Sequence, residues 1–230
     1  MSLPFGNAIT IEWFVRSPEG LMAHASLALL MQPVLALDIE TANYSWEVGG
    51  WDKTHLFEPT IVATWDGDSA HLFSKTALDV EGAICHPLHP RDLGEHLLKH
   101  TEAGGVIVGH NIAGFDLPVL RDALDCYEAG ALLGKQHACI RDTSRLFRSA
   151  AKHSATLEEI CKHTLGMGKS GMTSIEAPEA WREGRHSEVA KYCIADARLA
   201  YDLYAHGCSD GFVKARSRDT GAVIEIEVTW

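Results

Sequence analysis

The stretch VLALDIE, residues 34–40, decides how this chain can fold, because an apolar run passes directly into two acids. Val34–Leu37 predicts a short buried strand that carries Asp38 at its end. Side chains two positions apart in an extended chain point to the same side, so Asp38 and Glu40 can reach one cation together. A D-x-E triplet alone is weak evidence, since such triplets are frequent in surface turns. Its meaning depends on the rest of the chain.

Further strand and helix patterns follow this stretch. Strands are predicted at Thr60–Trp65, Ala70–Phe73 and Gly105–Val108, and the tail segments Phe212–Ala215 and Val223–Trp230 predict a terminal hairpin. Helices are predicted at Asp92–Glu102, Leu117–Tyr127, Thr143–Lys152, Leu157–Leu165 and Glu188–Ala205. Thr156 with Glu159 predicts a capping box, while Ser187 and Gly207 are expected to cap and stop the last helix. This order indicates an α/β fold with a mixed sheet.

Length and composition favour one large domain, since 230 residues with 46% hydrophobic composition can bury one substantial core. Residues 1–32 are expected to form an N-terminal extension, with a strand at Ala8–Val15 and a helix or strand at Leu21–Met31. The apolar segment Leu21–Leu37 is interrupted by polar residues and Pro33, so no membrane span is predicted. Glu12 and Glu19 occupy positions that are basic in a signal peptide. We therefore expect a cytoplasmic protein without a membrane partner.

Six scattered cysteines form no C-x-x-C pair, so reduced and mostly buried thiols are expected. Cys85, His86 and His89 could suggest three zinc ligands, but a fourth ligand is missing and two prolines, Pro87 and Pro90, lie on either side of His89. A surface loop is the favoured interpretation of this segment.

The net charge of −11 argues against tight coating of nucleic acid, which needs many contacts from lysine and arginine to phosphate. The charge is uneven, because Lys135–Lys169 holds seven bases and three acids. A solvated helical face is the simpler interpretation of this basic segment. Beside an acidic metal site, the same segment becomes a candidate surface for the nucleic-acid backbone.

Two more acids occur in distinctive contexts. Asp116 ends the sequence GHNIAGFD, residues 109–116, after the strand at Gly105–Val108, although an ordinary helix cap is an alternative role. Tyr192 and Asp196 lie four residues apart in the clearest helix, so both project from one face. That face is otherwise apolar, so a buried acid there needs a partner or a metal, unless Asp196 lies at its hydrated edge.

The three acidic motifs together resemble a known family. D-x-E at 38–40, N-x-x-x-F-D at 111–116 and Y-x-x-x-D at 192–196 form the pattern of DEDD exonucleases in the ribonuclease H-like superfamily. The tyrosine marks the DEDDy subclass, since the other subclass has histidine where this chain has Lys191. The resemblance implies a ribonuclease H-like domain over residues 33–230, with a mixed β-sheet flanked by helices and a C-terminal β-hairpin.

The resemblance also implies an activity, namely 3′→5′ exonuclease action on single-stranded nucleic acid, with DNA favoured over RNA, two Mg²⁺ or Mn²⁺ ions and release of nucleoside 5′-monophosphates. Asp38 would bridge both ions, Glu40 and Asp196 would complete the site of the ion that activates water, and Asp116 would hold the other. Tyr192 would orient the attacking water. Residues expected to contact substrate are Thr41, Trp46, Trp51, His110, Asn111, Phe115 and Lys169, the two tryptophans by stacking on bases.

A closer likeness is to exonuclease-like domains of helicase-associated proteins and to the proofreading domain of family-B polymerases. It rests on EVGGW at Glu47–Trp51 and on Lys169-Ser170 ahead of the segment that holds Trp181. It implies a 3′ end of DNA or RNA as partner, and a polymerase or helicase acting in trans. Two alternatives stay open: an endonuclease or resolvase on the same scaffold, and a binding module that has lost turnover.

Overall fold

A six-stranded mixed sheet forms the centre of the part of the chain that the computed structural model describes, residues 32–168 and 171–230. Its strands are β1 (Val34–Thr41), β2 (Pro59–Trp65), β3 (Ala70–Ser74), β4 (Ala83–Pro87), β5 (Val106–Gly109) and β6 (Ile140–Asp142). Their order across the sheet is β4-β3-β2-β1-β5-β6, with β2 antiparallel to both neighbours and the other pairings parallel. Strands β7 (Phe212–Arg216) and β8 (Val223–Glu227) form a separate antiparallel hairpin.

Helices cover both faces of this sheet. They are α1 (Ser45–Val48), α2 (Pro90–Glu102), α3 (Asp116–Asp122), α4 (Tyr127–Gly134), α5 (Gln136–Cys139), α6 (Thr143–Ala151), α7 (Leu157–Thr164), α8 (Ala177–Arg182) and α9 (His186–Asp210), with a 3-10 turn at Thr54–Leu56. The α/β class, the mixed sheet and the C-terminal hairpin are as predicted, and the architecture is consistent with a ribonuclease H-like fold. Residues Pro33–Trp230 form one compact unit, and the strand and helix predictions for residues 1–31 lie outside the described residues.

The alternation of side chains along β1 assigns its two faces. Leu35, Leu37 and Ile39 are buried in one apolar cluster with residues of α2, α3 and α4. Ala36 is buried on the opposite face with residues of α8 and α9. Because alternate residues share a face, Asp38 and Glu40 point to the side that α9 covers. The sheet therefore directs both acids toward the long C-terminal helix.

The C-terminal hairpin packs on its own apolar cluster. Val213 and Ile226 from its strands are buried with Ile160 of α7 and Leu203 of α9. The hairpin thereby packs against both α7 and the C-terminal part of α9. None of the described helices combines the length and apolarity needed to cross a membrane.

Several predicted boundaries were wrong for identifiable reasons. β1 continues to Thr41, because β2 supplies partners as far as Glu40↔Ile61 and Thr41↔Pro59, so the D-x-E acids lie within the strand. The predicted helix Leu117–Tyr127 is interrupted after Asp122, and Asp125 has a left-handed backbone with φ of 58° before α4 begins. Left-handed residues do not continue an α-helix.

Helix α9 is longer than predicted at both ends. It begins at His186 and ends at Asp210, with Gly211 as the left-handed residue that follows it. Gly207 lies buried inside the helix instead of stopping it. A β-carbon at Gly207 would clash with the indole of Trp230, so glycine serves close packing here.

The surface-loop prediction around Cys85 was also wrong. Cys85 and His86 lie in β4, which pairs in parallel with β3 and so gains a ladder of hydrogen bonds. The His86 Nε2 lies 3.0 Å from the His71 Nδ1 of β3, and the His89 ring accepts a hydrogen bond from the Arg91 amide at the start of α2. The six cysteines form no disulfide, and four of them are buried.

Candidate active site

Acids from β1 meet the middle of α9. Oδ2 of Asp38 is buried, and ligand atoms of Asp38, Glu40 and Cys193 lie within 4.8 Å of one another. The Cys193 thiol donates to the Asp38 backbone carbonyl at 3.3 Å, which joins the helix to the strand directly behind the acids. Burial raises the pKa of the Cys193 thiol, and the nearby carboxylates of Asp38 and Glu40 raise it further. The thiol therefore stays protonated as a donor.

Asp116 reaches the same place from the start of α3. The parallel pairing of β1 with β5 stops at Ala36↔Val108, and beyond it the Ile39 amide is close enough to the Asp116 carboxyl to lower its pKa. Gly109 permits the close approach of these strands, because a β-carbon there would lie 2.7 Å from the Leu37 carbonyl oxygen. Asp116 is the first residue of α3, and Phe115 occupies the cap position, so the alternative of an ordinary cap does not hold.

Tyr192 and Asp196 lie one turn apart on α9, close enough for the Asp196 charge to act on the phenol. Both side chains are buried. Burial raises the pKa of Tyr192 far above its usual range, and the charges of Asp196, Glu40 and Asp38 raise it further. The phenol is therefore a neutral donor at any physiological pH. The helical spacing predicted this pair correctly.

Other buried carboxylates near Asp116 affect its pKa. Burial raises the pKa of Asp116 to about 7, and the charges of Asp142 and Asp196 add to the rise, while the Ile39 amide opposes it. Each extra negative charge in such a site destabilises the ionised form of the next. Two divalent cations would offset this repulsion.

The raised pKa of Asp116 predicts how stability depends on pH in protein stripped of metal by EDTA. The folded chain holds this proton up to about pH 7, whereas the unfolded carboxyl releases it near 3.8. The stabilisation that this proton gives the folded state is therefore fully present below the unfolded pKa. It is lost as the pH rises through the folded pKa. Between pH 5 and pH 8, the free energy of unfolding measured in urea should fall more for the native sequence than for Asp116→Asn. Equal losses in the two proteins would contradict the assignment, and added Mg²⁺ should reduce the difference.

One buried acid was not singled out from the sequence. The Asp142 carboxylate accepts hydrogen bonds from the amides of Asn111 at 3.0 Å and Ala113 at 3.1 Å, and from Ser144 and Arg145 at the start of α6. It thus holds the loop that leads to Asp116 against α6. Asn111 has a positive φ of 70°, which asparagine tolerates better than most residues. An aspartate directly before a predicted helix is the signal that could have identified its capping role.

Two residues predicted to contact substrate, His110 and Thr41, form hydrogen bonds within the protein. The His110 ring contacts Thr143 Oγ1 through Nδ1 at 3.0 Å and donates to the Ala155 carbonyl through Nε2 at 3.2 Å. The Thr41 hydroxyl donates to the Asn43 carbonyl at 2.9 Å. Both residues line the cleft described below, but these bonds give each a structural role. Asn111 is exposed at the same cleft.

The aromatic residues form two groups beside the acids. Trp46 is 66% exposed and stacks on Tyr44, with ring centroids 4.2 Å apart. Trp51 is 65% exposed and meets Phe115 edge to face at 5.2 Å, while Phe57 contacts both rings. Exposed faces of Trp46 and Trp51 are therefore available for stacking, and Phe115 serves mainly as their support.

A cleft of about 550 Å³ unites these features. Its lining includes the four acids and Tyr192, the predicted aromatic residues, and two stretches that the sequence did not indicate, Ala155–Glu158 and Thr173–Ile175 with Pro178. The described bases of the predicted basic segment, from Lys135 to Lys162, are not among its lining residues. The Arg145 Nε instead lies 3.5 Å from Asp142 Oδ2. Lys169 is outside the described residues.

The geometry thus joins Asp38, Glu40, Asp116, Tyr192 and Asp196 in one cleft, from three segments far apart in the chain. Neither a protein-family model nor a curated protein matches this chain.

Proposed function

We propose that this protein is a metal-dependent 3′→5′ exonuclease that hydrolyses single-stranded nucleic acid, with DNA favoured over RNA, and releases nucleoside 5′-monophosphates. The observation that carries the proposal is the meeting of Asp38, Glu40, Asp116 and Asp196 with Tyr192 in one cleft that also has exposed tryptophans. The order of the three motifs supports the same proposal by resemblance.

The donor set suits hard divalent cations. Asp38, Glu40, Asp116 and Asp196 would hold two Mg²⁺ or Mn²⁺ ions, since these ions prefer carboxylate oxygen. The raised pKa of Asp116 supports this fit, because buried carboxylates that repel each other gain from cations. When bound, the ions would lower the pKa of water and offset negative charge on the phosphate.

The chain itself would bind and orient the reactants. Tyr192 lies beside Asp196 at the cleft and would act there as a neutral hydrogen-bond donor, because burial and the nearby carboxylates raise the pKa of its phenol. The Cys193 thiol donates to the Asp38 carbonyl and so joins α9 to β1 beside the acids. The acids are thereby oriented before substrate arrives, which lowers the cost of reorganisation during hydrolysis.

Exposed tryptophans would hold unpaired bases. Stacking on an aromatic ring contributes about 1–3 kcal/mol per base and tolerates any sequence, which suits a nuclease acting on single strands. Each of Trp46→Ala and Trp51→Ala should therefore weaken binding of a single-stranded oligonucleotide by about tenfold, measured by fluorescence anisotropy in Ca²⁺.

Trp65→Phe provides a control for this prediction, because Trp65 lies outside the cleft lining, where the Arg198 guanidinium covers its ring at 4.0 Å. Unchanged affinity is expected for that variant. Full affinity in both cleft variants would show that the tryptophans are not stacking platforms.

The nature of the products tests the reaction class. A uniformly labelled single strand should yield nucleoside 5′-monophosphates as the first products in Mg²⁺ or Mn²⁺ and none in EDTA. Early release of oligonucleotides would favour an endonuclease or resolvase on the same scaffold. Retained binding with no product in any metal would favour a non-catalytic binding module.

A further inference from the structure

Four exposed bases lie around the connection between α6 and α7. Arg148 and Lys152 are one turn apart at the end of α6, where Lys152 is the left-handed residue that closes the helix. Arg216 and Arg218 belong to the hairpin, the first at the end of β7 and the second in the turn that follows. We name these four residues the basic cluster. Residues 144–154 hold three bases and no acid, although the whole chain has a net charge of −11.

Contacts between the hairpin and the α6–α7 connection bring the two pairs of bases together. The Arg218 guanidinium donates to the Ser154 carbonyl at 3.2 Å, and Ser154 follows Lys152 by only two positions. Ala155, the next residue, packs against the apolar cluster that contains Val213 of β7. The two pairs of bases therefore lie on the same part of the surface.

Acids of the chain do not neutralise the basic cluster. Within residues 32–168 and 171–230, none of its four members forms an ion pair with a carboxylate, and this includes Asp219 of the same hairpin turn. Three of them donate to backbone carbonyls, Lys152 to Ser149 at 2.6 Å, Arg216 to Gly221 at 3.1 Å and Arg218 to Ser154 at 3.2 Å. A neutral carbonyl orients a cation and leaves its charge in place, so the basic cluster can pair with anions from solution.

The basic cluster adjoins the cleft that holds the acids. Ala155 follows Ser154 directly and is the first residue of the stretch Ala155–Glu158 that lines the cleft. The His110 ring, which also lines the cleft, donates to the Ala155 carbonyl at 3.2 Å and so holds this boundary in place. The basic cluster therefore begins where this side of the cleft ends.

We propose that the basic cluster is a second binding site for the substrate strand, which holds phosphates on the 5′ side of the nucleotides in the cleft. The inference rests on the proposed nuclease function and gives it a preference for strands longer than the cleft can hold. Contacts from lysine and arginine to phosphate add affinity without reading the sequence. They would also offset the repulsion between nucleic acid and a chain with a net charge of −11.

The double variant Arg216→Gln with Arg218→Gln tests this site, because both side chains are exposed and outside the cleft lining. Fluorescence anisotropy in Ca²⁺ measures its binding to single-stranded DNA of about twelve nucleotides at several salt concentrations. Each lost phosphate contact removes about 0.7 from the slope of log K against log salt, so the slope should become shallower by about 1.4. Affinity in about 0.1 M salt should fall by at least about tenfold. Affinity for a trinucleotide, which does not extend to the cluster, should keep the native value.

Lys75→Gln with Arg185→Gln is the matched control, since it changes the net charge of the protein by the same amount. Both bases are paired with carboxylates, Lys75 with Glu58 and Arg185 with Glu183 and Glu188, and neither lines the cleft. This control should bind the long strand with the native slope. Equal changes of slope in the two double variants would overturn the proposal, because net charge alone would then explain the loss.

The binding assay needs no turnover, so failure of this site differs from failure of the proposed function. If neither strand releases a mononucleotide in Mg²⁺, the nuclease proposal fails, and the salt slopes still decide whether the basic cluster binds phosphate. A native protein that binds the long strand no more tightly than the trinucleotide would overturn the inference. So would a hairpin double variant that is folded by circular dichroism and retains the native slope.

Discussion

Asp38→Asn is expected to reduce the rate of strand degradation in Mg²⁺ by about a thousandfold or more, because it removes a charge at the centre of the proposed cation site. The substitution keeps the size and shape of the side chain. Oδ2 of Asp38 is buried and its neighbours include Glu40 and Cys193, so the lost charge also removes repulsion in metal-free protein. Thermal unfolding in EDTA should therefore show no loss of stability. Single-turnover assays measure the rate.

Asp79→Asn is the control, since Asp79 is exposed and does not line the cleft. It should degrade the strand at the native rate. An Asp38→Asn protein that retains activity within about tenfold of native would contradict the role given to this residue, because a lost cation ligand costs more than that.

Asp142→Ala is expected to destabilise the fold by about 3 kcal/mol or more, since it leaves four backbone amides without their acceptor. The carboxylate is 5% exposed, so water cannot readily replace it. Asp142→Asn keeps one oxygen as an acceptor, so its free energy of unfolding should fall by less than that of Asp142→Ala. Urea unfolding of the metal-free proteins measures both free energies.

The same pair of variants separates a structural acid from a metal ligand. Asp142 does not line the cleft, so Asp142→Asn should bind Mn²⁺ with native stoichiometry by isothermal titration calorimetry. Native stability in Asp142→Ala together with a lost Mn²⁺ site would contradict the structural role.

Local periodicity predicted the parts of the site that short-range geometry controls. The period of two in β1 predicted that Asp38 and Glu40 share a side, and the helical period predicted that Tyr192 and Asp196 project from one face. Both arrangements are present. In these cases the backbone of one element is sufficient to set the direction of the side chains.

Features that depend on distant partners could not be predicted in this way. Asp142 was overlooked because its bonds to Asn111 and Ala113 span about thirty positions of sequence. The hydrogen bond from the Tyr44 hydroxyl to the Ile175 carbonyl spans 131 positions and uses a backbone acceptor, which no side-chain pattern predicts. Strand β4 has a weak pattern of burial and is defined by its pairing with β3.

The helix boundaries show the same limit. Gly207 carries a strong stop signal in the sequence, yet it lies within α9 because Trp230 packs against it. Tertiary contact thus overrode a local preference.

A single-stranded DNA and an RNA of equal sequence, each labelled at the 5′ end, test the central claim most directly. The native protein should produce a ladder that shortens progressively from the 3′ end in Mg²⁺ or Mn²⁺, faster on DNA than on RNA, with no cleavage in EDTA or by Asp38→Ala and Asp196→Ala. Internal cuts at early times, or equal cleavage by the native protein and both variants, would contradict it.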